Sequence, residues 1–312
     1  MNRSLRTVAI VAVFILLSGC GTKTNRASAF DGIRAYELLK KQCTFGPRYP
    51  GVQGHEKTLE FIQSELKPLA DEVSTHTFKY GAGSKTIELS NVYAVFNPDA
   101  SHFVLLCAHW DTRPHADQEV DEAKSKMPVP GANDGASGTA VLLELARMFN
   151  NKKPDVGVVM AFFDGEDYGP GVNDMFIGAK EFAKNWKTAV QPKGRQIKYD
   201  YGILLDMIGD SNLDIAKEVF SCHKAPKVVD KVWAAADKLG YGNTFLEEER
   251  HMLQDDHLPL CAAGIPCIDV IDFNYAYWHT IDDTPNKCSA KSLQTVGNVI
   301  SKVVYDEGTQ AK

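Results

Sequence analysis

Apolar residues recur at helical spacing in two early segments, 31–43 (Ile33, Tyr36, Leu38, Leu39) and 54–67 (Leu59, Phe61, Ile62, Leu66), with the turn-rich FGPRYPG between them. The period then shortens. Strand-like runs follow over 74–79, 86–96 and 103–109, the last nearly continuous in apolar residues, as a strand covered on both faces requires. From there the pattern alternates: helix 138–149, strand 156–163, helix 178–186, strand 202–207, helix 226–239, strand 266–271 and helix 289–304. Such alternation predicts an α/β chain, in which functional groups gather just past the carboxyl ends of the strands. The stretch from Gln118 to Pro130, rich in Asp, Glu and Lys, reads as an exposed loop.

The N-terminus follows a different pattern. Arg3 and Arg6 precede an apolar run from Val8 to Leu17, too short to span a bilayer and typical of a signal peptide. The run closes in Leu17-Ser18-Gly19-Cys20, which resembles a bacterial lipobox with lipid attached to Cys20. Residues 1–19 are therefore expected to be a lipoprotein signal peptide, 20–30 a lipidated cysteine and polar tether, and 31–312 a single catalytic domain. This makes the chain an exported, membrane-anchored protein that faces the periplasm.

Composition narrows the choice of partners. Across 312 residues the formal net charge is -6, with no basic stripe to neutralise a phosphate backbone, which argues against nucleic acid. Six cysteines remain after Cys20 and show no zinc-ribbon spacing; buried thiols account for most of them, and no pairing can be assigned.

The strand ends carry the chemistry. VLLCA runs into His109-Trp110-Asp111, MAFF into Asp164-Gly165-Glu166-Asp167, and GILL into Asp206. GANDGASG places Asp134 in a glycine-rich turn before a helix, and Asp255-Asp256-His257 and Trp278-His279 come late. Taken singly, each has a structural explanation: Asp134 and Asp255 or Asp256 as helix caps, Trp278 as a core aromatic. GANDGASG lacks the Gly-Lys-Ser/Thr ending of a phosphate loop. Together, Asp, Glu and His at separate strand ends form the oxygen and nitrogen donor set of a catalytic zinc site. A dication also explains the crowding of Asp164, Glu166 and Asp167: Asp167 binds the ion, Glu166 stays free as a general base, and Asp164 is structural.

In order, AHWDTRP, GANDGASG, FFDGEDYGP, GILLDMIG, QDDHLP and YWHTIDD resemble the motif blocks of the glutaminyl-peptide cyclotransferases, above all their bacterial branch, within the zinc aminopeptidase clan. The resemblance spans about Ile33 to Val304 and implies an α/β/α sandwich around a central mixed, mostly parallel sheet. It also implies one zinc per chain held by Asp134, Asp167 and His279, with Glu166 as acid/base, Asp206 and Asp255 as its acidic neighbours, and Trp278 as a substrate wall. The implied substrates are peptides or proteins with N-terminal Gln, cyclised to pyroglutamate with loss of ammonia. Asp167 stands where mammalian cyclases carry Glu, and GPGVNDMFIG lacks a Trp that cyclases often place there. One rival is a two-zinc aminopeptidase, with Asp134 bridging and His109 and Asp206 on the second ion. The doubled Asp255-Asp256 favours the cyclases over it. Another is a catalytically inactive peptide-binding lipoprotein on the same fold.

Overall fold

The computed structural model describes residues 29–82 and 85–310; Cys20 and the expected signal peptide lie outside them. Helices α1 (Gly32–Cys43) and α2 (Gln53–Leu66) open the domain, followed by strands β1 (Glu72–Ala82), β2 (Lys85–Phe96) and β3 (Phe103–His109). Then come α3 (Ala136–Asn151), β4 (Gly157–Phe163), α4 (Ile177–Ala189) and β5 (Tyr199–Asp206). Next are β6 (Ile215–Glu218), α5 (Val219–Lys224), α6 (Pro226–Lys238) and β7 (Phe245–Arg250). The chain ends with α7 (His257–Ala262), β8 (Cys267–Ile271) and α8 (Ala290–Gln310).

The main sheet has six strands in the order β1-β2-β4-β3-β5-β8. The pairs β4·β3, β3·β5 and β5·β8 are parallel and the two outer pairs on the β1 side are antiparallel, so the sheet is mixed and mostly parallel, as expected. Alternation along the central strands sorts their side chains into two cores. Val104, Leu106 and Ala108 of β3 join α1, α3, α6 and α8 on one face. Phe103, Leu105 and Cys107 join Ala179 and Phe182 of α4 and Leu260 of α7 on the other. Every residue of β3 and β4 is buried, which is why these strands read as unbroken apolar runs.

Phe30, placed in the tether, is buried against Gly297, where a Cβ would lie 2.3 Å from its ring, and Asp31 caps α1 through the amides of Ile33 and Arg34. Packing against α8 is already made at Phe30, beside the expected start of the domain. Of the six cysteines, Cys107, Cys267 and Cys288 are buried and the others half-buried, and none is bridged. Among the described residues no helix is long and apolar enough to cross a membrane.

β6 and β7 form a small parallel sheet of their own. At its edge Glu218 accepts hydrogen bonds from the amides of Phe220 (2.8 Å), Ser221 (2.6 Å) and Leu253 (3.1 Å), which ties α5 to the segment leading into Asp255.

Candidate functional site

The carboxyl ends of β4, β3, β5 and β8 share one edge of the sheet, and the residues singled out from sequence converge there. His109 is the last residue of β3 and Asp206 the last of β5, while Asp164 to Asp167 turn off the end of β4. Asp134 precedes α3, Asp255 precedes α7, and His279 lies on the loop after β8.

The crowded acidic turn separates its charges by geometry. Gly165, with φ +72°, lets the chain reverse between Asp164 and Glu166. Asp164 faces away from the site, with His55 Nε2 at 2.9 Å and the amide of Ser90 at 2.6 Å, which fits the structural role expected of it. Asp111 receives the amides of both Glu166 and Asp167, one on each carboxylate oxygen at 3.1 Å. Their side chains then diverge: Asp167 Oδ1 lies 3.4 Å from His279 Nε2, and Glu166 Oε2 lies 3.8 Å from His109 Nδ1.

Asp134 is not a helix cap. The N-cap of α3 is Gly135, without a side-chain bond, and a Cβ there would sit 2.5 Å from the ring of His109. That glycine admits the imidazole. Asp283 holds the turn by accepting the amides of Asn133 (2.8 Å) and Asp134 (3.2 Å), and receives the Tyr275 hydroxyl at 2.7 Å. Asp134 is left with its two oxygens facing different rings, Oδ1 at 3.1 Å from His109 Nε2 and Oδ2 at 3.7 Å from His279 Nε2.

Two buried donor groups result, Asp134–Asp167–His279 and His109–Asp134–Asp206, each with its ligand atoms within 4.8 Å of one another. The first fits a zinc well: it is a carboxylate–carboxylate–imidazole set, and Asp167 Oδ2 is buried without a hydrogen-bond partner, a cost that a cation removes. In the second, Asp206 Oδ1 also lies 3.1 Å from His109 Nε2.

Electrostatics follow the crowding. Burial pushes Glu166 well above the ordinary glutamate range; His109 opposes the shift, and Asp167, Asp255 and Asp256 add to it. Burial, with Asp206 alongside, lifts Asp255 to about 7, and burial also raises Asp206 and Asp167. Asp134 goes the other way: its burial, the largest single influence, is outweighed by the bond to His109 together with the charges of His109, His279 and Arg113. His279 rises to about 9, as Asp167 and Asp117 overcome its burial. A dication entering such a cluster displaces protons from the groups that ligate it.

A cleft of about 360 Å³ opens over the donors, with Asp134, Glu166, Asp167, Asp206, Asp255 and His279 in its polar wall. Trp278 forms part of its apolar wall, stacked on His279 at 4.0 Å and tilted against Phe273 at 4.9 Å. It is a cleft residue rather than a core aromatic. Asp134, Glu166, Asp167, Asp206, Asp255, Trp278 and His279 therefore meet at one cleft, with His109 against Asp134 and Asp206 and with Asp164 turned away. Sequence reading placed Asp111 at a strand end without its holding role, and missed Asp283, Arg113, Asp117 and the fully buried Arg48, whose guanidinium donates to the carbonyls of Trp110, Pro130 and Gly131.

Residues 91–304 match the family model for peptidase family M28. The structure of Bacteroides thetaiotaomicron glutaminyl cyclase bound to N-acetylhistamine is 34% identical, with a TM-score of 0.84 over 89% of this chain and 98% of that one. A Zn-dependent exopeptidase from Parabacteroides distasonis is 33% identical, with a TM-score of 0.84 over 90% of this chain and 99% of that one. The glutaminyl-peptide cyclotransferase of Bothrops jararaca is 24% identical over 298 residues, covering 83% of this chain and 77% of that protein.

Proposed function

This chain belongs to peptidase family M28, and on that footing we propose that it is a zinc-dependent glutaminyl cyclase, converting the N-terminal glutamine of peptides and proteins to pyroglutamate. The observation that carries the choice of reaction is Asp255, buried in the same cleft wall as Asp206 and Glu166. Burial beside Asp206 lifts this acid to about 7, so it competes for a proton next to Asp206, and in this reading a proton held there disfavours a second dication on Asp206.

In this reading Asp134, Asp167 and His279 hold one zinc. When bound, it supplies a Lewis acid for a carbonyl oxygen. Glu166 accepts a proton from the substrate's α-amine as the nitrogen–Cδ bond forms, and returns it to the amide nitrogen as the Cδ–Nε bond breaks and ammonia leaves. Trp278 and Phe273 give the cleft a flat apolar side that keeps the glutamine side chain folded back on its own amine.

The second donor group, His109–Asp134–Asp206, is the observation that favours a two-zinc aminopeptidase instead. Incubating the purified chain with a peptide beginning in Gln separates the readings. Cyclisation releases ammonia and leaves the peptide otherwise whole, with one zinc per chain. Free amino acids with two zincs support the aminopeptidase, and inertness with zinc bound supports a binding lipoprotein.

The same reading makes the protein a periplasm-facing lipoprotein anchored through Cys20, supported by the Leu17-Ser18-Gly19-Cys20 sequence. Cells fed a radiolabelled fatty acid should label the natural protein and not Cys20→Ser; equal labelling of both removes the anchor from the proposal.

A further inference from the structure

The connection leaving β3 passes through Arg113 and doubles back over the cleft, where it is tied to the late loop at three points. Asp117 Oδ1 lies 2.9 Å from His279 Nδ1. The amide of Gln118 donates to the carbonyl of His279 at 3.3 Å, and Glu119 Oε1 accepts the amide of Ile281 at 3.1 Å. The other oxygen of Asp117 receives Arg113 Nε at 2.9 Å and Nη2 at 2.6 Å, while Arg113 Nη1 donates to Asp167 Oδ1 at 2.6 Å. Since Asp167 Oδ1 and His279 Nε2 are 3.4 Å apart, the contacts form a closed ring: His279, Asp117, Arg113, Asp167.

Each part of the ring is constrained. Arg113 is buried, and at Gly169 (φ +56°) a Cβ would lie 2.9 Å from its Nη1, so the guanidinium is packed against the loop that follows Asp167. His279 has φ +54°, a left-handed conformation that a non-glycine residue holds only when its surroundings impose it. The start of the acidic loop, expected to be merely exposed, supplies that hold.

We propose that Asp117 and Arg113 are positioning residues for the metal. Asp117 keeps the proton of His279 on Nδ1, which leaves the Nε2 lone pair for zinc. Arg113 holds Asp167 through Oδ1 and leaves Oδ2 without a partner, so the carboxylate is fixed in place with an oxygen unclaimed for the cation. The inference rests on the zinc of the reading above and is indifferent to whether the chemistry is cyclisation or hydrolysis.

A bland alternative exists, because the Asp117 side chain is 40% exposed and pairs of that kind usually act as weak surface staples. Zinc affinity, measured by competition with a chelator, separates the two, together with the visible spectrum of the cobalt-substituted protein and the melting temperature of the metal-free form. Asp117→Asn keeps the shape and loses the charge; Arg113→Lys keeps the charge and loses the fork. Each should weaken zinc by about 10–100-fold and alter the cobalt spectrum, with the metal-free melting temperature little changed. Glu122→Gln, on the exposed part of the same loop, should change neither. Should Arg113→Lys fail to fold, Asp117→Asn decides alone. Zinc affinity within about twofold of the natural protein and an unaltered cobalt spectrum in Asp117→Asn would overturn the proposal. So would a lowered metal-free melting temperature with affinity intact. Because turnover is not the readout, an error about cyclisation cannot be mistaken for an error here.

Discussion

Glu166→Gln should retain its zinc and lose turnover by about 10²–10⁴-fold, the usual worth of a positioned general acid–base. The substitution keeps the side chain's size and its place beside His109 but removes the ability to take a proton. The donor atoms of Asp134, Asp167 and His279 are not touched by it. The effect corresponds to about 3–5 kcal/mol in the barrier, too large for a lost surface contact. The natural protein should also show a rising limb in its pH–rate profile. Glu166 must be ionised to accept the amine's proton, and burial places its ionisation above the ordinary glutamate range, so activity increases with pH as that proton leaves. A bound dication draws the limb downward without reversing its sign. In Glu166→Gln the residual rate should lack this limb. Full turnover in the variant, with zinc bound, would remove Glu166 from the reaction.

The strand ends were legible because the central strands are buried on both faces. A run such as VLLCA has no polar position to spare, so the first His or Asp after it marks the sheet edge, and β3 falls on the residues expected for it. The small sheet was not legible. β6 is four residues long, and β7, FLEEER, presents acidic side chains to solvent, leaving no apolar run or clean alternation to detect. The donor residues could be picked out because metal chemistry restricts their type. Their holders could not, although Asp111, Arg113 and Asp283 stand inside motifs quoted from the sequence. Arg113 meets Asp167 across 54 positions, Asp117 meets His279 across 162, and Asp283 meets the amide of Asn133 across 150. No local pattern distinguishes such a residue from an ordinary surface charge. A sequence shows which residue types suit an ion, whereas the restraint that orients them appears once the chain is folded.

His279→Ala should lose zinc and turnover together, whereas His109→Gln should keep one zinc per chain. The two imidazoles flank the same carboxylate, His109 on Oδ1 of Asp134 and His279 on Oδ2, so near-symmetry makes them a fair comparison. Their surroundings differ in what is left over. On the His279 side, Nδ1 is engaged by Asp117 and Asp167 carries a buried oxygen with no partner, so one ring nitrogen and one carboxylate oxygen remain for a cation. On the other side His109 Nδ1 is also buried without a hydrogen-bond partner, but the ring is enclosed by Asp111, Asp134, Asp206 and Glu166, which offset its burial and raise it well above the ordinary histidine value. Removing His279 leaves two carboxylates as protein ligands, and affinity should fall by at least about 100-fold. Zinc counted per chain after dialysis, alongside turnover, reads both variants. Retention of zinc by His279→Ala would show that the ligand is misassigned. A natural protein holding two zincs, falling to one in His109→Gln, would move the chain to the aminopeptidase reading, because the second donor group would then be an ion site in its own right.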